Sequence, residues 1–62
     1  MMGDSDEIIR RLQKEGWVEV SQTGSHRTFK HSDMIKLITV PHPRKEIGKG
    51  LKRAIQREAG WR

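Results

Sequence analysis

The most distinctive reactive side chains in this sequence are three histidines, and one of them directly follows a Gly-Ser pair. His26 completes Gly24-Ser25-His26 at the predicted start of a β-strand, whereas His31 ends that strand and His42 lies between two prolines. An imidazole can accept or donate a proton at cellular pH, so each ring is a candidate acid–base group. The alternative for His26 is a turn residue that hydrogen-bonds its own loop, and His42 is equally a rigid loop residue.

The sequence does not predict a metal site. It contains no cysteine, which excludes disulfides and zinc–thiolate centres. His26 and His31 are an odd number of positions apart, so within one strand they point to opposite faces. No other spacing matches a known ligand pattern, and we expect neither a metal nor another cofactor.

A cluster of cations surrounds the predicted start of the last helix. Cations at a helix N-terminus oppose the helix dipole by about 0.3–1 kcal/mol each, so this placement does not favour the helix itself. It becomes favourable when an anion binds there, and phosphate is the obvious candidate. A solvated charged face is the alternative, and Glu46 dilutes the positive charge. This basic cluster consists of Arg44, Lys45, Lys49, Lys52 and Arg53.

The whole chain is small and basic. Its 62 residues predict one domain, over residues 1–62, with a single small core. The net charge of +5 favours an acidic partner such as nucleic acid, an acidic protein or an anionic membrane, although solubility alone also explains it. No apolar run approaches the roughly 18 residues of a membrane span, and residues 1–10 are not signal-like. We therefore expect a cytoplasmic protein that does not contact a membrane.

Two helices are predicted, one towards each end of the chain. Helix 1 is expected over residues 5–15, with Asp4 as N-cap and Glu7 as its capping-box partner. Helix 2 is expected to begin near Lys49 or Gly50, because each glycine inside a helix costs about 1 kcal/mol. The glycines expected to end the two helices are Gly16 and Gly60.

Three strands are predicted between these helices, over residues 17–22, 26–31 and 34–40. Short turns make them antiparallel neighbours, the third strand is apolar enough to be central, and Pro41 ends the sheet. The order α-β-β-β-α defines an α+β protein. Two helices on one face of a three-stranded antiparallel sheet is the economical packing, and it leaves the other face open.

Strand alternation assigns side chains to the two faces of this sheet. Phe29 is expected to face the helices, together with Ile38 and Val40, although both faces of the third strand are partly apolar and leave its register open. The open face then carries His26, Thr28 and Lys30 from the second strand, and Ile35, Leu37 and Thr39 from the third. Because two of these residues are large and apolar, the open face is a candidate partner-binding surface.

Four segments, in their order and spacing, resemble a known family. They are "GW" at residues 16–17, "GSHRTFKH" at 24–31, "ITVPHP" at 38–43 and "GLKRAIQREAGW" at 50–61. The chain resembles the HicA toxins of bacterial and archaeal toxin–antitoxin modules over about Ile8 to Trp61. The resemblance implies a fold like that of a double-stranded RNA-binding domain and a ribonuclease that cleaves mRNA. It also implies a cognate antitoxin, HicB, that binds and blocks the toxin.

The family's essential histidine corresponds to His26, which favours a catalytic residue over a turn residue. We expect His26 to act as general base or acid in a metal-independent cleavage, with Lys30 as the nearest electrostatic stabiliser. The basic cluster is expected to hold flanking phosphates of the RNA. His31 and His42 are candidate second proton-transfer groups only where the loops bring them close. The antitoxin is expected to cover His26, Thr28, Ile35 and Leu37.

Two other functions remain open from the sequence. In a non-catalytic RNA-binding module of the same fold, His26 would contact a phosphate or a 2′-hydroxyl. A DNA-binding subunit of a repressor complex is weaker, because the chain shows no helix-turn-helix pattern. The resemblance implies contact with DNA only through the antitoxin complex.

Overall fold

The structure, a computed structural model, describes residues 3–61 and confirms the predicted order of elements. The three strands form one antiparallel sheet in the order β1-β2-β3, so the α+β class is also confirmed. The elements are helix α1 (Asp4–Lys14), strands β1 (Val18–Thr23), β2 (His26–Lys30) and β3 (Ile38–Pro41), and helix α2 (Lys49–Glu58).

Both helices pack on one face of the sheet through a single apolar core. The side chains of Phe29, Ile38 and Val40 are fully buried, as the alternation of the strands predicts. Ile47 is also buried and anchors the segment that precedes α2. The helices and the residue after α1 supply the rest of the core, which consists of Ile9, Leu12, Trp17, Ile55 and Ala59.

Both helices end in the same way, with a glycine in the left-handed conformation followed by a tryptophan. The φ angles are 98° at Gly16 and 77° at Gly60, which only glycine adopts at little cost. Each following tryptophan donates its N–H to the carbonyl five residues earlier, at 2.9 Å after α1 and 2.7 Å after α2. This is the Schellman arrangement, and it confirms both predicted helix ends.

The start of α1 differs from the predicted one by a single residue. Gly3 rather than Asp4 is the N-cap, and the carboxylate of Asp6 rather than Glu7 accepts the Gly3 N–H at 3.4 Å. Asp4 does not cap the helix because its carboxylate accepts the Ile47 N–H at 2.9 Å. This contact joins α1 to the segment before α2, and a local sequence pattern cannot reveal it.

β3 is shorter than predicted and lies at an edge of the sheet. It begins at Ile38 instead of Met34, and residues 31–37 form a loop in which the Met34 N–H donates to the His31 carbonyl at 3.1 Å. The prediction of a central third strand was wrong, because β2 lies between the other two strands. β3 is apolar because both helices pack against it. Its edge position also accommodates Pro41, which cannot donate to a ladder.

β1 contains a β-bulge. Glu19 pairs with Phe29 and Ser21 pairs with Thr28, so Val20 is the extra residue on β1.

Within the described part of the chain, neither α1 nor α2 combines the length and the apolar character that a membrane-crossing helix requires.

Candidate active site

The face of the sheet opposite the helices, called here the open face, carries side chains in three rows that cross the strands. His26 lies at one end of this face, and Lys30 lies at the other. Cross-strand neighbours of one residue share its face of the sheet. The rows are Thr23–His26–Pro41, Ser21–Thr28–Thr39 and Val18–Lys30.

His26 is the first residue of β2, and its side chain is exposed to solvent. It follows the Gly24-Ser25 turn, where Gly24 has a φ of 56° that favours glycine. The Ser25 carbonyl accepts the His42 N–H at 2.7 Å. The turn before His26 is therefore fastened to the chain that leaves β3.

His42 also contacts α1 through its side chain. Its Nε2 lies 2.9 Å from Oδ1 of Asp6, and its side chain is 24% exposed. This hydrogen bond is the main cause that holds the pKa of the Asp6 carboxyl below its usual value, with the Gly3 N–H as a further donor. The structure thus brings the His42 backbone beside the His26 turn, while the His42 ring turns towards the helices.

His31 lies at the opposite end of β2, about 17 Å from His26 at the usual rise per strand residue. Its Nδ1 accepts the Asp33 N–H at 3.0 Å, so its Nε2–H is the donor to the Glu15 carbonyl, also at 3.0 Å. The ring stands 5.3 Å from that of Trp17. The His31 side chain therefore caps the C-terminal end of α1 through the Glu15 carbonyl. It is too far from His26 to exchange protons with the same substrate.

The cation next to His26 in the sequence does not reach the open face. Arg27 faces the helices, where its guanidinium binds the Glu19 carboxylate, with Nε to Oε1 at 2.8 Å. It also lies 5.8 Å from the centre of the Phe29 ring. Lys30 is exposed on the open face, about 13 Å along β2 from His26.

One member of the basic cluster forms an intramolecular ion pair that is partly exposed to solvent. Lys52 Nζ lies 3.1 Å from Oδ2 of Asp4 and links the first turns of the two helices. The first turn of α2 contains no acidic residue. The other four members are exposed and form no salt bridge within residues 3–61; they are Arg44, Lys45, Lys49 and Arg53.

Sequence reasoning did not identify Ser5, which fixes part of this cluster. Ser5 is fully buried, and its hydroxyl contacts the Arg44 carbonyl at 3.0 Å and the Arg44 N–H at 2.9 Å. The Asp4 N–H donates to the Lys45 carbonyl at 2.9 Å. The backbone of residues 44–45 therefore caps α1, while both of their side chains stay exposed.

The apolar residues of the open face differ from those predicted. Ile35 is fully exposed, but it lies in the 31–37 loop, so its assignment to a strand was wrong. Leu37 precedes β3, and continuing the β2–β3 register places it opposite Lys30. Val18 and Val20, which are 64% and 51% exposed, line a depression with Lys30. Val18, Val20 and Leu37 form what we call the apolar end of the open face.

The part of the chain that the structure describes contains no group of three His, Asp or Glu side chains placed to hold a metal ion. The chain is thus a small α+β protein whose open face and the start of α2 expose a histidine, hydroxyls and several cations.

A comparison with protein-family models identifies this class. The model of the HicA toxin of bacterial toxin–antitoxin modules matches residues 5–61, which is nearly the whole chain. The chain therefore belongs to the HicA toxin family, whose members are the toxins of toxin–antitoxin pairs. A comparison with curated proteins found no match.

Proposed function

We propose that this toxin is a metal-independent endoribonuclease that cleaves mRNA, with His26 as its general acid or base. The observation that carries this proposal is the placement of His26 on the open face. Its ring is exposed, while its backbone is flanked by Thr23 on β1 and Pro41 on β3. A reactive ring on a β-strand is positioned more precisely than one on a loop, which favours direct contact with a substrate.

RNA supplies the nucleophile for this reaction. The 2′-hydroxyl attacks the adjacent phosphorus, the bond from phosphorus to the 5′-oxygen breaks, and a 2′,3′-cyclic phosphate forms. His26 removes the proton of the 2′-hydroxyl as the base, or protonates the leaving 5′-oxygen as the acid. One positioned acid–base group contributes about 10²–10⁴-fold, which suffices for a toxin that acts on long mRNAs.

The open face and the basic cluster together support a path for the RNA strand. Lys30, about 13 Å from His26, is placed to bind a flanking phosphate rather than the one that is cleaved. The hydroxyls of Thr28 and Thr39 hydrogen-bond each other at 3.0 Å, which leaves one hydroxyl proton to donate to a phosphate or ribose oxygen between these two positions. Arg44, Lys45, Lys49 and Arg53 extend the positive charge beyond the sheet, whereas the ion pair with Asp4 makes Lys52 the weakest candidate of the basic cluster.

We also propose that a HicB-type antitoxin inhibits the toxin by covering the open face. The apolar end offers Val18, Val20 and Leu37 for burial, and the exposed Ile35 lies in the loop that leads to it. A partner with matching apolar and acidic groups would bury these residues together with Thr28 and His26. Access of RNA to His26 would then be blocked directly.

A non-catalytic RNA-binding module is the second candidate function. It is favoured by the positions of the other histidines, because neither ring joins His26 on the open face of the described structure. The two functions differ in a single assay with end-labelled mRNA. If the protein is a ribonuclease, the wild type cleaves the RNA and His26→Ala binds it without cleavage. If it is a binding module, the wild type and His26→Ala both bind the RNA and neither cleaves it.

A further inference from the structure

His42 connects the candidate active site to the first turn of α1. Its side chain contacts the Asp6 carboxylate at 2.9 Å, and its backbone N–H donates to the Ser25 carbonyl at 2.7 Å. Asp6 itself lies on a helix whose first turn is fastened to the backbone of residues 44–45. A continuous path of hydrogen bonds therefore leads from α1 to the residue that precedes His26.

The Ser25–His42 bond extends the β2–β3 ladder by one position beyond its last assigned pair. His26 faces Pro41 in that ladder, and Ser25 and His42 follow in the same register. Hydrogen-bonded and non-hydrogen-bonded pairs alternate in antiparallel ladders, so His26 and Pro41 form a non-hydrogen-bonded pair. The backbone of His26 therefore makes no hydrogen bond to β3 itself. Its position relative to β3 depends on the hydrogen bonds of the flanking residues Ser25 and Arg27, and the Ser25–His42 bond is the one nearer the end of the sheet.

From this arrangement we infer that Asp6 and His42 form a positioning clamp that holds the Ser25 carbonyl and thereby fixes the ring of His26 for catalysis. This inference rests on the proposed ribonuclease function. β3 ends at Pro41, so residue 42 has no further strand to support it. The contact between its ring and Asp6 fastens it to α1 instead. The ends of a strand open more readily than its middle, and His26 is such an end.

The clamp can be observed directly through the exchange of the His42 backbone amide, which NMR follows in the full-length chain. The His26→Ala background permits production of the protein without its antitoxin. We expect Asp6→Ala to accelerate exchange of this amide about tenfold or more, because the ring of His42 loses its hydrogen-bond partner. Asp6→Asn keeps an oxygen acceptor and should remain within about threefold of the parent.

Glu15→Ala is the matched control for these variants. Glu15 is the C-cap of the same helix and contacts Arg11 and Trp61 through its carboxylate, but it is nine residues from Asp6, or about 13 Å along the axis. Its loss should leave the exchange of the His42 amide unchanged. Unchanged exchange in Asp6→Ala would overturn the clamp, as would equal acceleration in the control.

Kinetics with His26 present test what the clamp does. We expect Asp6→Ala to lower kcat about 10–100-fold with KM within about twofold, since small misplacements of a catalytic group cost this much. Asp6→Asn should recover most of kcat, and the pH–rate profile should keep its shape in both variants. An effect on KM alone, equal losses in both variants or a lost limb of the pH profile would overturn the positioning role. If the wild-type toxin does not cleave RNA, the proposed function fails, and amide exchange alone decides whether the clamp exists.

Discussion

Asp4 and Lys52 form a 3.1 Å ion pair that joins the first turn of α1 to the first turn of α2. The same Asp4 carboxylate accepts the Ile47 N–H at 2.9 Å, so one side chain holds two separate parts of the C-terminal half of the chain. Lys52 thereby stabilises the contact between the two helices in addition to contributing positive charge to the surface. The side chains of the other members of the basic cluster form no ion pair within residues 3–61.

This difference predicts that substitutions in the basic cluster fall into two groups, one that lowers the stability of the fold and one that weakens RNA binding without lowering that stability. Lys52→Ala should lower Tm, and Asp4→Ala should lower it further because the Ile47 N–H also loses its acceptor. Lys49→Ala should not lower Tm, and should raise it slightly because it removes a cation from the N-terminus of α2. It should weaken RNA binding, with the salt dependence of log K reduced by about 0.7 for one lost phosphate contact on a single strand. Thermal melts and RNA titrations at several salt concentrations measure both effects. Equal Tm values for Lys52→Ala and Lys49→Ala would contradict the structural role of the ion pair.

His26, which begins β2, and His31, which follows it, should respond in opposite ways to replacement by alanine. His26→Ala should change the free energy of unfolding by no more than about 0.5 kcal/mol, as exposed positions usually do. It should reduce cleavage about 10²–10⁴-fold. His31→Ala should cost about 1 kcal/mol, because the Glu15 carbonyl and the Asp33 N–H lose their partner, yet the folded fraction should cleave normally. Urea unfolding and cleavage rates test the pair, and full activity of His26→Ala would refute the catalytic role.

The features that sequence could predict here are the local ones. The Gly-Trp ends of both helices depend on a glycine and on bonds within a single turn. The exposure of His26 follows from alternation relative to the buried Phe29. The start of β3 was predicted too early, because the apolar residues Ile35 and Leu37 continue the character of the strand into an exposed loop.

The contacts that sequence could not predict join distant positions. Ser5 to Arg44, Asp6 to His42 and Asp4 to Ile47 span 39, 36 and 43 positions. Each is a polar contact between the first turn of α1 and the segment between β3 and α2. No periodicity or turn signal in either segment specifies its partner. The polar contacts around the candidate site therefore become visible only in the folded structure, where these two segments pack together.

Acid should destabilise the toxin through three carboxylates. Backbone donation from Ile47 lowers the pKa of Asp4, and hydrogen bonds from His42 and from Trp61 lower the pKa values of Asp6 and Glu15. A carboxyl with a lower pKa in the folded state stabilises it above the unfolded-state pKa, near 4, and loses this contribution as pH falls through the folded-state value. Urea unfolding between pH 7 and pH 2 should show stability declining below about pH 4. Asp6→Asn should make this decline shallower, and an unchanged slope would contradict the role of Asp6.

The apolar end of the open face should decide the affinity of the antitoxin. Val18→Lys and Leu37→Lys each place a charge in the proposed interface and should weaken antitoxin binding about tenfold or more, as expected for buried interface positions. Val18 is 64% and Leu37 49% exposed in the toxin, so its stability should change little. Gln13→Lys, at an exposed position of α1 and therefore away from the open face, is the control. Calorimetric titration with the antitoxin measures the affinities, and unchanged binding in both Val18→Lys and Leu37→Lys would place the interface elsewhere.

The chemistry of the cut ends tests the origin of the nucleophile. If the 2′-hydroxyl attacks, the upstream fragment ends in a cyclic or 3′-phosphate and the downstream fragment begins with a 5′-hydroxyl. A deoxynucleotide at the cleaved position should abolish cutting there, and DNA should bind through the exposed cations without being cut. EDTA should change the rate little, because His26 transfers the proton without help from a bound cation. Mass spectrometry of the fragments, with and without EDTA, distinguishes the mechanisms. A 5′-phosphate product that disappears with EDTA would show that a metal-activated water is the nucleophile, and the role given to His26 would be wrong.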